Sequence, residues 1–208
     1  MSWLMSAVYD RMTRKSNKAC LDQWRAELLR ELSGAVLEVG AGTGATLPYY
    51  PKTVTQLVLC EPDPHMRRKL QVKRDAAGLK HVEISDASLK ALPAAPASLD
   101  AVVCSLVLCS VPDPQAALKE IQRVLKPGGK LVFLEHVAAD GEPNRLKWQK
   151  RIEPVWKHLM GNCHLTRRTE AAISAAGFNI ERIERESIRK ALPIVRPSIR
   201  GVARKRGG

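Results

Sequence analysis

Aromatic side chains are scarce in this chain, at 4% of 208 residues. That scarcity argues against a large aromatic cage around a ligand, though four Trp soften the point. No apolar run approaches the roughly 18 residues that a membrane span needs. The N-terminus has no secretory apolar core. No CxxC pair occurs, and the five cysteines (Cys20, Cys60, Cys104, Cys109, Cys163) are odd in number. A disulfide framework and a zinc site are therefore not expected. Cys60, Cys104 and Cys109 lie in apolar runs, where a free cysteine acts as a small core residue, and this implies a reducing compartment. Internal repeats, low-complexity tracts and obvious linkers are also lacking.

Acidic residues are outnumbered, 21 against 34 Lys and Arg, for a formal charge of +13. Such a surface is either simply well solvated or drawn to an anionic membrane, an acidic substrate or nucleic acid. Nucleic acid ranks last, because the basic residues are spread along the chain and no DNA- or RNA-reading motif occurs. The expectation is a cytoplasmic protein, with peripheral contact to an anionic membrane as an option and no protein partner inferred.

What is present fits one domain of ordinary size with a substantial core. Residues 1–32 read as helix. Met1, Leu4, Met5, Val8 and Met12 recur at spacings of three and four, and Leu21, Trp24, Leu28 and Leu32 continue the stripe. Arg11, Arg14, Lys15 and Lys18 fall on another face. The segment is either a lid on its own domain, the preferred reading, or an amphipathic helix on a membrane. From Ala35 onward, strands and helices alternate. Strands are expected at 35–39, 56–60, 81–84, 99–104, 130–137, 178–187 and 198–205. Helices are expected at 43–50, 64–77, 114–125, 143–160 (with a break at Pro154) and 167–176. This order implies an α/β fold with a mainly parallel sheet and ligand binding beyond the carboxyl ends of the strands. The expected division is a lid (1–32), a cofactor-binding core (33–137) and substrate-side elements (138–208) within one domain.

Chemistry gathers at those strand ends. After the first comes Glu38-Val39-Gly40-Ala41-Gly42-Thr43-Gly44, where glycines allow a tight turn and close approach of a ligand to the backbone. A helix beginning there would aim free N–H groups at that ligand. Glu61 follows the second strand, 21 positions beyond Gly40. A carboxylate so placed can accept from both hydroxyls of a ribose. Gly40, Gly42 and Ala45 also satisfy the looser dinucleotide pattern, so the turn and Glu61 alone admit NAD. After the third strand come Ser85-Asp86-Ala87, where an acid can accept from the exocyclic amine of adenine. Ser105-Leu106 follows the fourth strand, and Lys126-Pro127-Gly128-Gly129 precedes the fifth.

As a set, these strand ends resemble the class I methyltransferases, over residues 35 to 137. Val102 to Val111, Glu135-His136-Val137, Trp148-Gln149, Glu153-Pro154, Trp156-Lys157-His158, Cys163 and Leu165-Thr166-Arg167 resemble the mammalian methyltransferase-like proteins that methylate thiols. The chain is also similar to the group that methylates ubiquinone and menaquinone precursors. It departs from the mammalian proteins in having a short amphipathic helix where they carry a long hydrophobic anchor.

The resemblance implies a Rossmann-like, doubly wound, seven-stranded sheet with a C-terminal antiparallel strand. It implies S-adenosylmethionine as methyl donor and S-adenosylhomocysteine as product. Gly40, Ala41 and Gly42, with Thr43 and Gly44, would hold the methionine end. Glu38 would orient the turn or reach the donor's ammonium, and Glu61 would hold the ribose. Asp86 and Ala87 would meet adenine, with Pro62 or Met66 on its face. Ser105 and Leu106 would border the sulfonium, and Tyr9 on the lid could close over the methionine end. His136 and Glu135 are candidates for a base, and Trp148, Trp156 and His164 for the acceptor pocket. The acceptor is a small molecule: a thiol first, then a quinone precursor or other aromatic, then a phospholipid amine. An NAD-dependent oxidoreductase and a non-catalytic nucleotide-binding protein are the alternatives.

Overall fold

A computed structural model describes residues 11 and 13–207. Tyr9 and the stripe from Met1 to Met12 lie outside the described residues. A π-helical turn (Asn17–Leu21) leads into α1 (Asp22–Leu29). The strands are β1 (Gly34–Val39), β2 (Val54–Cys60), β3 (Glu83–Ser85), β4 (Leu99–Ser105), β5 (Leu125–His136), β6 (Phe178–Ser187) and β7 (Pro197–Lys205). The later helices are α2 (Pro64–Ala76), α3 (Pro114–Val124), α4 (Pro143–Leu159) and α5 (Thr169–Ala175).

The seven strands form one sheet in the order β3-β2-β1-β4-β5-β7-β6. β1 through β5 pair in parallel, and β7 runs antiparallel to both β5 and β6. Strand order reverses between β1 and β4, the place where a ligand crevice opens in such sheets. Side chains alternate across the sheet, so each face has its own core. Leu37, Val39, Val102, Cys104, Leu131 and Phe133 meet Leu118, Ile121 and Val124 of α3 on one face. Val36, Leu59, Val103, Val132 and Leu134 meet Cys20, Leu21, Trp24, Leu28 and Leu29 on the other. The described part of the N-terminal helix therefore packs on its own domain, with Arg14, Lys15 and Lys18 exposed. The Arg200 guanidinium stacks over the Trp24 ring, 5.2 Å from its centre, and pairs with Glu27, Glu184 and Glu186. These contacts tie β7 to the N-terminal helix.

Local sequence explains the sharpest boundaries. Asp63-Pro64 and Asp113-Pro114 start α2 and α3 in the same way. Each Asp side chain accepts two backbone N–H groups of the first turn, and each Pro occupies a position whose N–H has no helical partner. Three expectations change. No helix forms over 43–50, only a 3-10 turn at Leu47–Tyr49. Pro48 cannot donate, Gly44 adopts φ +78°, and Glu38 captures the hydroxyls of Thr46 and Tyr50. α4 runs unbroken through Pro154. Lys150 and Pro154 both lie on its exposed face, where water can satisfy the carbonyl that proline cannot serve. β5 begins at Leu125 and absorbs Lys126-Pro127-Gly128-Gly129 through a register shift opposite Leu99 and Ala101. No described helix is long and apolar enough to cross a membrane.

Candidate active site

Beyond the carboxyl ends of β1, β2, β4 and β5 lies a cavity of about 1090 Å³. The turn after β1 forms part of its floor. Gly40, Gly42 and Gly44 all adopt left-handed backbone, with φ of +63°, +57° and +78°. At Gly40 a Cβ would meet Val107 Cγ2 at 2.5 Å, so this glycine lets the turn press against the segment after β4. At Gly42 a Cβ would meet nothing nearer than the Gly40 carbonyl at 3.9 Å, which leaves that face open. Only Gly40 and Gly42 of the turn line the cavity. Ala41 is packed into the core, and its N–H is taken by the Cys60 carbonyl at 3.0 Å. Thr43 and Gly44 are buried behind the turn.

Glu61 is where the sequence places it, on the cavity wall after β2, with Pro62, Asp63 and Met66. Its Oε2 accepts the Gly42 N–H at 2.7 Å and its Oε1 accepts the Asp63 N–H at 2.9 Å. Burial pushes its carboxyl above the usual range, against the pull of those two bonds. Glu38 does not line the cavity. It is 1% exposed and accepts from Thr46 Oγ1 at 2.6 Å and Tyr50 Oη at 2.9 Å. Burial raises its carboxyl to about 7. Of the two roles open to Glu38, the structure supports the strut for the turn. After β3 the wall is made by Ser88, Leu89 and Lys90. Asp86 is exposed and Ala87 packs against the core, so neither reaches the wall as expected.

Ser105 and Leu106 line the cavity after β4. Leu106 holds a left-handed backbone at φ +59°, a costly conformation for a branched side chain, of the kind found where a site demands it. Ser105 Oγ is buried beside the cavity with no hydrogen-bond partner among the described residues. Glu135 does not reach the cavity, which removes it as a base. Its fully buried carboxylate accepts the N–H groups of Val107 and Leu108 at 3.0 Å and of Cys109 at 3.3 Å. Burial lifts it to about 7 despite those three donors. It is a strut for the turn after β4, as Glu38 is for the turn after β1.

His136 does line the cavity, and its Nε2 lies 2.8 Å from Cys163 Sγ. Cys109 joins them: one ligand atom from each of the three falls within 4.8 Å of the others. A hydrogen bond from Cys109, then the one from His136 and its charge, outweigh burial and bring the Cys163 thiol down to about 4. Burial depresses the His136 imidazole, but the Cys163 sulfur and the nearby carboxylates raise it overall. Each group thus favours the charged form of the other. Sequence spacing speaks against such a cluster and suggests Cys109 as a core residue, but the fold brings the three together. No CxxC is needed when the turn after β4, the end of β5 and the loop after α4 each supply a donor.

The remaining expectations divide. Trp156 lines the cavity beside Met160 and Cys163. Trp148 is 56% exposed, stacked under Arg151, and is no part of the pocket. His164 points away, its Nδ1 paired with Glu153 Oε1 at 3.2 Å. Glu153 also accepts from the N–H and hydroxyl of Thr166, so this set braces the loop after α4. Thr13, Ser16 and Leu21 of the N-terminal helix close one side of the cavity, which favours the lid reading for the described part.

A model of the methyltransferase domain family matches residues 37–133. Thiol S-methyltransferase TMT1B of Rattus norvegicus is 40% identical over 155 residues, covering 72% of this chain and 62% of that protein. Thiol S-methyltransferase TMT1B of Homo sapiens is 36% identical over 189 residues, covering 84% of this chain and 75% of that protein. Among solved structures, an S-adenosylmethionine-dependent methyltransferase from Aquifex aeolicus superimposes with a TM-score of 0.64 at 19% identity, over 98% of both chains. That last likeness concerns the fold alone.

Proposed function

The chain belongs to the class I S-adenosylmethionine-dependent methyltransferases, and from that premise we propose that it methylates a small-molecule thiol. The observation that carries the acceptor is the match to the human thiol S-methyltransferase. It spans 84% of the chain, far beyond the donor-binding core, and so extends into the acceptor wall. The family match also sets aside the nicotinamide reading of the glycine turn.

The residues present fit the donor. Gly42 leaves open space at the cavity wall that a Cβ would occupy, Glu61 offers a buried carboxylate, and Ser105 Oγ has no partner among the described residues. When bound, S-adenosylmethionine supplies an electrophilic methyl carbon on a sulfonium. Gly40, Gly42 and Glu61 would hold it, with Pro62 and Met66 as apolar wall and Ser105 and Leu106 beside the reacting end. Alignment and exclusion of water are then the main tasks of the protein. The N-terminal helix residues Thr13, Ser16 and Leu21 cover the cavity for the second task. A small thiol has a pKa near about 8.5, so only a few per cent is thiolate at neutral pH. Groups that favour the thiolate must stand at the acceptor end, where Cys109, His136 and Cys163 line the wall.

The test is a screen of labelled methyl donor against alkyl thiols, phenols, quinols and lipid amines. A methyl thioether from the thiols is expected. A methylated hydroquinone with no thiol product overturns the choice of acceptor. A reducing, cytoplasmic setting is part of the same proposal, and the five free cysteines support it. Its charge of +13 suits peripheral contact with an anionic membrane. Co-sedimentation with anionic vesicles at low salt, lost at high salt, is expected; no sedimentation at either salt overturns the membrane contact.

A further inference from the structure

We propose that Cys109, His136 and Cys163 form a three-ligand site for zinc(II), with the fourth position open to the cavity to take the acceptor thiol. Two sulfurs and an imidazole nitrogen are soft donors, suited to zinc and unsuited to magnesium or calcium. Three protein ligands with one open position is the arrangement of catalytic zinc sites, whereas structural sites close all four. All three residues line the cavity described above, and neither sulfur is in a disulfide. With both cysteines as thiolates and the imidazole neutral, the filled site carries no net charge, which limits the cost of burying the ion.

The geometry is close to what the ion needs. Bonds of about 2.3 Å to sulfur and 2.0–2.1 Å to nitrogen in a tetrahedron set donor separations of roughly 3.5–3.8 Å. The three donor atoms already lie within 4.8 Å of one another. The His136–Cys163 approach of 2.8 Å must widen by less than about 1 Å, and separations near 4.8 Å must close by about as much. The Cys163 loop is held in place without the ion. Asn162 Nδ2 donates to the Ser110 carbonyl at 2.8 Å, and the His164 N–H donates to the Cys109 carbonyl at 2.9 Å. Those two bonds fasten the loop after α4 to the turn after β4, on either side of the sulfur pair.

Such a site supplies what a thiol acceptor requires. A thiol that coordinates zinc is deprotonated. Its proton leaves to solvent, and the sulfur lone pair then forms the new S–CH₃ bond. The C–S⁺ bond of the donor breaks, and its electron pair stays on the donor sulfur. The role of the ion rests on the thiol reading above; its binding does not.

The test begins with the full chain stripped by a chelator and titrated with cobalt(II) alone, then with zinc(II). One equivalent of cobalt should give thiolate-to-metal charge-transfer bands and intense tetrahedral visible bands, both erased by zinc. Cys163→Ser should lose charge-transfer intensity. His136→Ala should weaken binding beyond the roughly 10- to 100-fold effect of removing an outer-shell partner. Circular dichroism of each variant separates loss of the site from loss of the fold, and native mass spectrometry of the unaltered chain gives the stoichiometry without any substitution. No stoichiometric cobalt binding, or bands unchanged in Cys163→Ser, overturns the site. Equal thiol turnover by stripped and zinc-loaded enzyme overturns its role while leaving the acceptor reading intact. Zinc binding without methylation of any thiol retains the site and overturns the acceptor reading.

Discussion

The Glu61 carboxylate accepts the Gly42 backbone N–H at 2.7 Å, which joins the acid at the end of β2 to the glycine turn at the end of β1. One side chain thus holds the turn in shape and presents a carboxylate to the cavity. Replacing Glu61 with Ala should weaken donor binding by about 10- to 100-fold, as expected for losing a charged hydrogen-bond acceptor. Calorimetry with S-adenosylmethionine measures it. Glu61→Gln keeps one acceptor oxygen and should fall between. Unaltered affinity in Glu61→Ala rejects the ribose role.

Two glycines of the turn should respond differently. Gly40→Ala puts a methyl group 2.5 Å from Val107 Cγ2, whereas Gly42→Ala meets only open space and its own left-handed backbone. Gly40→Ala should cost more stability, on the order of 2–4 kcal/mol against about 1 kcal/mol. Urea denaturation of the two variants checks the order, and a reversed order would contradict the close packing of the turn on β4.

Glu135 is a strut under Val107, Leu108 and Cys109, not a base. Glu135→Ala leaves three N–H groups buried without a partner and should destabilise the fold by about 3 kcal/mol or more. Glu135→Gln retains one acceptor and should keep most turnover at temperatures where it is folded. A folded Glu135→Gln that has lost turnover completely would restore Glu135 as a proton carrier.

Glu38 ties stability to pH. Burial holds its carboxyl at about 7 in the folded chain, against an ordinary value of 4.5. Between those values the folded protein keeps a proton that the unfolded chain has released. The stability attached to Glu38 is therefore complete below about pH 4.5 and is withdrawn as pH rises to about 7, by on the order of 2–3 kcal/mol. Denaturant midpoints across that window should decline more steeply in the unaltered protein than in Glu38→Gln. Equal slopes would mean that Glu38 is already ionised in the folded state.

The two tryptophans of α4 separate pocket from surface. Trp156→Ala should raise KM for the acceptor several-fold, because its ring lines the cavity. Trp148→Ala should leave KM unchanged, since that ring is exposed and touches Arg151. Steady-state kinetics on both variants decides, and equal effects would place the acceptor elsewhere.

Much of this was legible in one dimension. Alternating apolar runs and caps such as Asp63-Pro64 and Asp113-Pro114 act within a few residues, so the strands and most helices could be read directly. The glycine turn and Glu61 were legible because a parallel sheet brings successive strand ends to one edge. The helix expected after Gly44 was misread, because a contact made outside the helix pattern, Glu38 with Thr46 and Tyr50, competed for the same stretch. Asp86 and Trp148 have plausible side chains, but both are exposed and neither lines the cavity.

The sequence by itself determined the fold class and the donor end of the cavity, since both follow from short-range periodicity and turn chemistry. The tertiary structure decided which acids are struts and which face the cavity. It also decided that Cys109, His136 and Cys163 meet. His136 and Cys163 are 27 positions apart, on the end of β5 and the loop after α4. Their approach depends on how Gln149 anchors α4 to Val137, Ala139 and Ile194, and on the bonds that pin its loop to Ser110 and Cys109. Spacing along a chain carries no record of such closures, and burial and mutual distance, which set the chemistry of these groups, exist only after folding.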